Sequence, residues 1–328
     1  MTQLRHILSV EQFDQSFLDD IFDDTDRAIR EISDKGSIAQ TFAGHYMNVF
    51  FYEPSTRTRC SFVAAGHQLG LKVDVTDSAG NFSSAVKGET IEDSMQVISG
   101  YDPLCIVLRN PTEGDAERAA AVSLVPIING GDGAGEHPTQ ALLDLYTIRR
   151  EFGRTDNLRV LFVGDCRFGR TTHSLAKLLA HQPGVKLATC TPEKLRMPSE
   201  VCNYTHSYGK TIREFDDLTI ELLQGYDVVY VVRLQKERFS KKKRQSFAAT
   251  YERFRLTYDM VINLDPGMRI LHPLPKVDEI EDAVSNLPQA AYFRQAMYGL
   301  PIRVSLLRYV GAQQLKVGSV FQSLLHNP

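Results

Sequence analysis

The feature that most constrains the fold is a series of short, continuous apolar segments that alternate with amphipathic stretches. The segments predicted to be strands are residues 47–52, 71–77, 104–109, 125–130, 160–164, 185–190 and 228–233. The helical patterns between them include residues 61–70, 139–152 and 172–181. Strands that are apolar on both faces and are separated by helices indicate parallel sheets covered on both sides. The predicted fold class is α/β.

The number of predicted strands is too large for one compact sheet. The chain has 328 residues, and domains average about 100–200 residues, so we predict two α/β domains. We place the first at residues 1–138 plus 290–328 and the second at 139–289, bridged by a helix that begins near Thr139. The first domain opens with an amphipathic helix, since Phe13, Phe17 and Ile21 recur at helical spacing.

Charge and cysteine content exclude several classes of protein. Lys and Arg total 37 against 40 Asp and Glu, a net charge of -3 that argues against a general nucleic-acid binder. No apolar run approaches the ~18 residues of a membrane span, and the polar start does not resemble a signal peptide. The five cysteines form no C-x-x-C pair, which argues against a disulfide framework or structural zinc. We therefore expect a cytoplasmic protein, with Cys105 and Cys166 packed inside it.

The segment 50–62, FFYEPSTRTRCSF, predicts a phosphate site. Pro54 keeps Glu53 extended, and Ser55 can then cap a helix whose first turn presents free backbone N–H groups. Arg57 and the hydroxyls of Thr56 and Thr58 lie at the same place, and this combination suits a phosphate. The alternative is a capped helix with its arginines in solvent. We expect Arg59 to be a structural partner of Glu53.

Glycines follow a strand in the segment 130–145, and His137-Pro138-Thr139-Gln140 then opens a helix. This order places the His137 imidazole at the carboxyl edge of the sheet, where open α/β sheets bind ligands. Gln140 shares its helix face and offers an amide to a carbonyl or NH2 group. The alternative is a histidine with a purely structural role.

Four further segments carry candidate polar groups. Gly164 and Gly169 do not form a G-x-G-x-x-G fingerprint, and Arg170 beside them suits a carboxylate better than a pyrophosphate. Arg233 and Gln235 follow an apolar strand, although an ordinary strand end is an equal alternative. In residues 272–275, His-Pro-Leu-Pro, helix formation is prevented and the backbone carbonyls are available to a ligand. Residues 81–94 are predicted to form a mobile loop carrying Ser83 and Lys87, followed by a helix.

These motifs, taken in order, resemble those of the aspartate/ornithine carbamoyltransferase family, and in particular its aspartate-specific branch. The matching strings are FYEPSTRTR, GEHPTQ, VGD-x-x-x-GRT-x-HS, RLQKER and LHPLPKVDEI, and the resemblance runs from about residue 45 to 310. It implies transfer of a carbamoyl group from carbamoyl phosphate to L-aspartate in pyrimidine synthesis, without metal or cofactor. It also implies that the first domain binds carbamoyl phosphate and the second binds aspartate.

The resemblance assigns roles residue by residue. The carbamoyl phosphate ligands would be Ser55, Thr56, Arg57, Thr58, Arg109, His137, Gln140, Ser83 and Lys87. The aspartate ligands would be Lys87, Arg170, Arg233, Gln235 and the carbonyls of Leu274 and Pro275. Arg57, Thr58, Arg109, His137 and Lys87 would act in catalysis. Ser83 and Lys87 would be lent to a neighbouring subunit, which implies a homotrimer with shared sites and leaves regulatory chains possible.

Alternatives and departures remain at this point. The chain could use ornithine or another amine, although Arg233 and Gln235 do not suit a cationic side chain. It could also be a non-catalytic homologue acting as a scaffold, although all expected residue types are present. A Rossmann dehydrogenase is disfavoured by the missing glycine fingerprint. The chain departs from the family pattern at Val86, at Met297, Tyr298 and Pro301, and in the basic segment 240–254.

Overall fold

A computed structural model describes residues 5–77, 79, 88–235 and 251–320. The chain divides into two compact units. The first unit runs to Thr139 and resumes at Gly299, and the second unit comprises Gln140–Tyr298.

The strands are β1 (Tyr46–Phe51), β2 (Lys72–Thr76), β3 (Ile106–Asn110), β4 (Ile127–Asp132), β5 (Arg159–Gly164), β6 (Lys186–Cys190), β7 (Ile212–Phe215), β8 (Val228–Val232) and β9 (Arg269–Leu271). The helices are α1 (Gln15–Lys35), α2 (Thr56–Gln68), α3 (Ile91–Ser99), α4 (Asp115–Val122), α5 (Pro138–Phe152), α6 (Arg170–Ala180), α7 (Ser199–Ser207), α8 (Ile220–Gln224), α9 (Tyr258–Val261), α10 (Tyr292–Met297) and α11 (Gly299–Val317).

The first unit is built on a parallel sheet of strand order β2-β1-β3-β4. Its inner strands carry apolar side chains on both faces, because helices cover the sheet on both sides. One face packs Ile106, Leu108 and Ile127 against Met95 of α3 and Ala119 of α4. β1, β3 and β4 are adjacent and parallel, so their carboxyl ends meet at one edge of the sheet.

The second unit is built on a parallel sheet of order β7-β6-β5-β8-β9. β8 is buried along its whole length and β5 is buried beyond its first residue. Leu161, Val163, Val229 and Val231 belong to the apolar core on one side of this sheet. β5, β8 and β9 are adjacent, and their carboxyl ends form the corresponding edge of this unit.

The α/β fold with parallel sheets is confirmed, and the predicted strands form with shifts of one or two residues at their ends. Two observed strands, β7 and β9, were not predicted, because β7 is a half-exposed strand at the sheet edge and β9 has only three residues. Gly131, predicted to follow the fourth strand, lies inside β4, and the neighbouring Gly130 sits against the Leu108 carbonyl of β3. A side chain at that position would crowd the neighbouring backbone.

Helix boundaries follow their capping residues. α1 begins after Asp14, whose carboxylate accepts the Phe17 N–H at 2.8 Å. Phe13, predicted to belong to this helix, precedes it and follows a short 3₁₀ turn at Val10–Gln12. Pro301 lies in the first turn of α11, where its missing N–H breaks no helical hydrogen bond. Tyr298 packs edge-to-face on Tyr146 with ring centroids 5.1 Å apart.

The predicted packing of Cys105 and Cys166 is confirmed, since both side chains are buried. Burial raises the pKa of the Cys105 thiol to about 12, which makes it a small apolar core residue at neutral pH. Within the described part of the chain, none of the helices has both the length and the apolar character that a membrane span requires.

Candidate active site

The carboxyl edge of the first unit gathers polar groups from three neighbouring strands. β1 leads through residues 52–55 into α2, Arg109 lies near the end of β3, and β4 leads through residues 133–137 to His137. Phe51 of β1 is paired with Arg109 of β3, which places the guanidinium beside the segment that enters α2. The predicted phosphate ligands of this unit therefore come from one edge of one sheet.

The start of α2 keeps its polar groups available to a ligand. Ser55 occupies the N-cap position with an extended backbone, but its hydroxyl makes no capping hydrogen bond. The prediction that Ser55 caps this helix is therefore correct for its position and wrong for its side chain. Arg57 is exposed and Thr58 is buried. Partial desolvation lowers the pKa of the Arg57 guanidinium, although an arginine remains charged at neutral pH.

Arg109 is held in place by two partners. Its Nη2 lies 2.6 Å from Oε1 of Glu53, and its Nη1 donates to the Gly130 carbonyl at 3.0 Å. The expected pairing of Glu53 with Arg59 is wrong, because Arg59 instead lies 3.3 Å from Asp77. The register of β1 and β3 explains the difference, since it brings Arg109 to the residue that follows β1. Glu53 thus orients a cation at the edge of the sheet.

His137 is reached through a tight loop at the end of β4. The Asp132 N–H donates to the Glu136 carbonyl at 3.0 Å, which closes the loop. Gly133 has φ +50, and a Cβ there would lie 2.6 Å from the Glu113 nitrogen, so only glycine fits. The His137 side chain is buried, with Nδ1 3.5 Å from the Thr139 hydroxyl. The position at the sheet edge agrees with either a ligand-binding or a structural role.

Asp132, the last residue of β4 before this loop, is a buried acidic group whose surroundings disfavour its ionised form. Its Oδ2 accepts the Gly114 N–H at 2.9 Å, whereas its buried Oδ1 has no hydrogen-bond partner in the described structure. Burial, assisted by the charges of Glu117, Asp115 and Glu113, raises its pKa to about 6. The ionised carboxylate is therefore an unfavourable group in the folded chain at neutral pH.

We expect Asp132→Asn to raise the melting temperature at pH 8 and to leave it unchanged at pH 4. The folded chain holds the Asp132 proton to about pH 6 while the unfolded chain loses it near 3.8, so the wild type loses stability as pH rises through this window. The difference at pH 8 should be about 1–3 kcal/mol. Equal melting curves for the two proteins at pH 8 would contradict the assignment.

The second unit gathers another set of polar groups at the carboxyl ends of β5 and β8. Gly164 ends β5 with φ +111, and a Cβ there would lie 2.2 Å from the Val232 carbonyl. Asp165 follows it and accepts the Phe168 N–H at 3.1 Å and the Gln235 N–H at 3.2 Å. The buried Asp165 carboxylate thus ties the turn after β5 to the turn after β8.

Arg170, Arg233 and Gln235 are positioned by these two turns. The Arg170 N–H and the Gln235 side-chain amide both donate to the Phe168 carbonyl, at 3.1 and 2.5 Å. Arg170 is the first residue of α6, where the positive end of the helix dipole adds to its charge. Arg233 directly follows β8, and its Nη1 is 3.3 Å from the Leu234 carbonyl. The two cations and the amide favour an anionic ligand.

The His-Pro-Leu-Pro segment follows β9 at the same edge. The Leu274–Pro275 peptide is cis and Leu274 has φ 55. His272 is buried, and its Nδ1 accepts the Leu274 N–H at 2.7 Å, which leaves the proton on Nε2. Nε2 lies 2.7 Å from Glu279, and although burial opposes its charge, this contact keeps the pKa of Glu279 below its ordinary value. The buried pair fixes the backbone that carries the Leu274 and Pro275 carbonyls.

A buried carboxylate behind Gln140 is not among the site residues predicted from the sequence. Asp144, fully buried in α5, accepts the Gln140 side-chain amide at 2.8 Å, the Gln295 side-chain amide at 2.6 Å and the Tyr230 hydroxyl at 2.7 Å. A signal was present, because Asp144 stands alone among apolar residues of the helix and four positions after Gln140.

The structure thus gathers the predicted groups into two sets. Those of the first unit are Ser55, Thr56, Arg57, Thr58, Arg109 and His137, and those of the second unit are Gln140, Arg170, Arg233, Gln235, Leu274 and Pro275. Ser83, Val86, Lys87 and residues 240–250 lie outside the described residues, so their predicted roles stay predictions.

Two models of known protein families match this chain. A model described as "Aspartate/ornithine carbamoyltransferase, carbamoyl-P binding domain" matches residues 5–150, and one described as the "Asp/Orn binding domain" of the same enzymes matches residues 156–310. The chain belongs to the aspartate/ornithine carbamoyltransferase family.

Individual members of this family are similar along nearly the whole chain. Aspartate carbamoyltransferase 1 of Pisum sativum, a chloroplastic protein, is 45% identical over 310 residues, which cover 93% of this chain and 78% of the relative. The catalytic subunit of M. jannaschii aspartate transcarbamoylase superposes with a TM-score of 0.83 at 38% identity, covering 94% of this chain and 98% of that one.

A third relative was solved with a ligand. The aspartate transcarbamoylase of Trypanosoma cruzi, in complex with N-(phosphonacetyl)-L-aspartic acid, superposes with a TM-score of 0.85 at 36% identity. The match covers 93% of this chain and 95% of that one. The similarity therefore spans both units and falls on aspartate-specific enzymes.

Proposed function

We propose that this protein is an aspartate carbamoyltransferase, which converts carbamoyl phosphate and L-aspartate to N-carbamoyl-L-aspartate and phosphate. The observation that carries this conclusion is the 45% identity to an aspartate carbamoyltransferase over 93% of the chain. The T. cruzi relative provides chemical support, because its ligand joins a phosphonate to an aspartate and so has parts of both substrates. By its product, the reaction belongs to pyrimidine biosynthesis.

The polar edge of the first unit fits the carbamoyl phosphate. The free N–H groups at the start of α2, the hydroxyls of Ser55, Thr56 and Thr58 and the Arg57 guanidinium bind the phosphate. Arg109, oriented by Glu53, and His137 polarise the carbonyl oxygen. The amine nitrogen bonds to the carbonyl carbon, and negative charge grows on the carbonyl oxygen. The bond from that carbon to the phosphate oxygen then breaks, so that the charge leaves with the phosphate, which can accept the proton that the amine loses. Hydrogen-bond donors and cations that already point at this charge before the reaction lower the activation barrier, because they do not have to reorient as the charge develops.

The polar edge of the second unit fits the aspartate. Arg170 and Arg233 bind its two carboxylates together with Gln235, whose side-chain amide is positioned by its hydrogen bond to the Phe168 carbonyl. Gln140 meets the carbamoyl NH2, and the Leu274 and Pro275 carbonyls orient the reacting groups. Ornithine would bring a cation against these arginines, and this repulsion disfavours the alternative acceptor.

The remaining assignments extend beyond the described residues. The first unit serves as the carbamoyl phosphate domain and the second as the aspartate domain. Ser83 and Lys87 complete the site of a neighbouring subunit in a homotrimer, as the resemblance implies. The M. jannaschii relative is named a catalytic subunit, which supports regulatory chains as possible partners. The cysteine usage supports a cytoplasmic location.

The direct test is an assay of the purified full chain with carbamoyl phosphate and aspartate. Formation of N-carbamoyl-L-aspartate, matched mole for mole by phosphate release, is the expected result. A protein that binds both compounds without forming product would instead support the scaffold alternative.

Arg233→Ala should chiefly raise the KM for aspartate, by about 10- to 100-fold, because it removes a charge-assisted contact to a carboxylate. The KM for carbamoyl phosphate should change by less than about threefold, since the phosphate ligands lie in the first unit. Steady-state kinetics with each substrate varied in turn measures both values. A selective rise in the KM for carbamoyl phosphate would contradict the division of roles.

A further inference from the structure

Asp144 lies behind the proposed substrate-binding groups and is fully buried. Its Oδ1 accepts two side-chain amides, from Gln140 at 2.8 Å and from Gln295 at 2.6 Å, and its Oδ2 accepts the Tyr230 hydroxyl at 2.7 Å. Three donors converge on one carboxyl group, so its ionised form is the one that satisfies all of them. The burial and the Asp144 charge together raise the pKa of Tyr230, which keeps this phenol a donor.

A carboxylate beside an amide decides which way the amide points. An ionised carboxylate only accepts hydrogen bonds, so it pairs with the NH2 end of Gln140 and excludes the carbonyl end. The opposite end, Oε1, is then left to meet a ligand. Gln140 can therefore offer a hydrogen-bond acceptor, and an acceptor is what the NH2 of a carbamoyl group requires.

The same oxygen fixes a second amide. Gln295 gives its NH2 end to Asp144, and its Oε1 consequently accepts the His272 backbone N–H at 2.8 Å. His272 in turn accepts the Leu274 N–H through Nδ1. A chain of hydrogen bonds thus connects one oxygen of Asp144 to Gln140 and to the segment that carries the Leu274 and Pro275 carbonyls.

We propose that Asp144 is a positioning residue that sets the orientation of the Gln140 amide and thereby makes the enzyme select a carbamoyl group over an isosteric acyl group. The proposal rests on the carbamoyltransferase function given above. It predicts a role that burial alone does not require, because an apolar residue would fill the same space without choosing an amide orientation.

Acetyl phosphate is the probe for this selection, since it has a methyl group where carbamoyl phosphate has NH2. The measured quantity is the inhibition constant of acetyl phosphate divided by the KM of carbamoyl phosphate. In Asp144→Leu this ratio should fall about five- to tenfold, as expected for loss of one hydrogen bond. Inhibition by inorganic phosphate, which contains neither group, should stay within about twofold of wild type.

Two matched variants separate orientation from general loosening of the core. Asp144→Asn keeps Oδ1 for the two glutamines, while its new NH2 faces a Tyr230 hydroxyl that can accept it, so the ratio should remain near wild type. Tyr230→Phe removes a donor from the same cluster without touching Oδ1 and should also retain the ratio. Asp144→Ser, whose shorter side chain leaves room for water beside the stranded donors, replaces Asp144→Leu should the latter not fold.

The outcomes are decisive in either direction. A fall in the ratio for Asp144→Leu or Asp144→Ser, with recovery in Asp144→Asn, supports the proposal. An unchanged ratio in the loss variants, or an equal fall in Tyr230→Phe, overturns it. Failure of the wild type to transfer a carbamoyl group would overturn the proposed function instead, and the two failures are therefore distinguishable.

Discussion

Arg57→Ala should reduce carbamoyl transfer by about 10²–10³-fold, because it removes a cation aimed at the charge that leaves with the phosphate. Arg57 stands in the first turn of α2, where no hydrogen bond or ion pair with another described residue occupies its guanidinium. Its removal therefore strands no buried partner, and the thermal stability of the chain should change little. Initial rates at saturating aspartate, with carbamoyl phosphate varied, measure the loss.

The matched control for this substitution is Arg59→Ala in the same helix. Arg59 lies 3.3 Å from Asp77 in a pair that is about one-third exposed on both sides, and exposed pairs contribute about 0–1 kcal/mol. Its loss should leave turnover within about twofold of wild type. Wild-type activity in Arg57→Ala, or equal losses in the two variants, would contradict the phosphate assignment.

Mixing two inactive variants should restore activity if neighbouring subunits share each site. Arg57→Ala chains retain Lys87, and Lys87→Ala chains retain Arg57, so a mixed trimer contains some sites in which both residues are intact. A trimer that contains both kinds of chain has one intact site among its three, so purified mixed trimers should have about one third of wild-type activity. Co-expression of differently tagged chains, followed by tandem purification and assay, measures this recovery.

The control for the mixing experiment pairs two defects from the same unit. Arg57→Ala and Arg109→Ala both act at the edge of the first sheet, and their mixed trimers contain no site in which both residues are intact. No recovery is expected there. Absence of recovery when Lys87→Ala is mixed with Arg57→Ala would show that each chain is self-sufficient. Recovery in the control would show that restored activity does not depend on a Lys87 supplied by the neighbouring subunit.

The periodicity of the sequence predicted the parts of the fold that depend on local burial. Apolar runs such as residues 160–164 and 228–233 reveal central strands because both faces are covered. β9 has only three residues, and its place beside β8 depends on long-range pairing that no local pattern encodes. The extension of β4 beyond Gly130 to Asp132 likewise depends on pairing with the β3 backbone.

In the candidate site as well, contacts between side chains that are far apart in the sequence could not be predicted from local patterns. The family resemblance predicts Arg109 and Gln140 as ligands, but the partners that orient them are seen only in the three-dimensional structure. Glu53 meets Arg109 because β1 and β3 lie in register, which sequence spacing does not reveal. Gln295 reaches Asp144 from a position 151 residues away in the chain.

The choice of amino acceptor tests the central claim most directly. The purified chain, supplied with carbamoyl phosphate, should release phosphate with L-aspartate and form N-carbamoyl-L-aspartate, whereas L-ornithine should support a rate at least about 100-fold lower because it places a cation near two arginines. Turnover with ornithine that equals or exceeds turnover with aspartate would contradict the account.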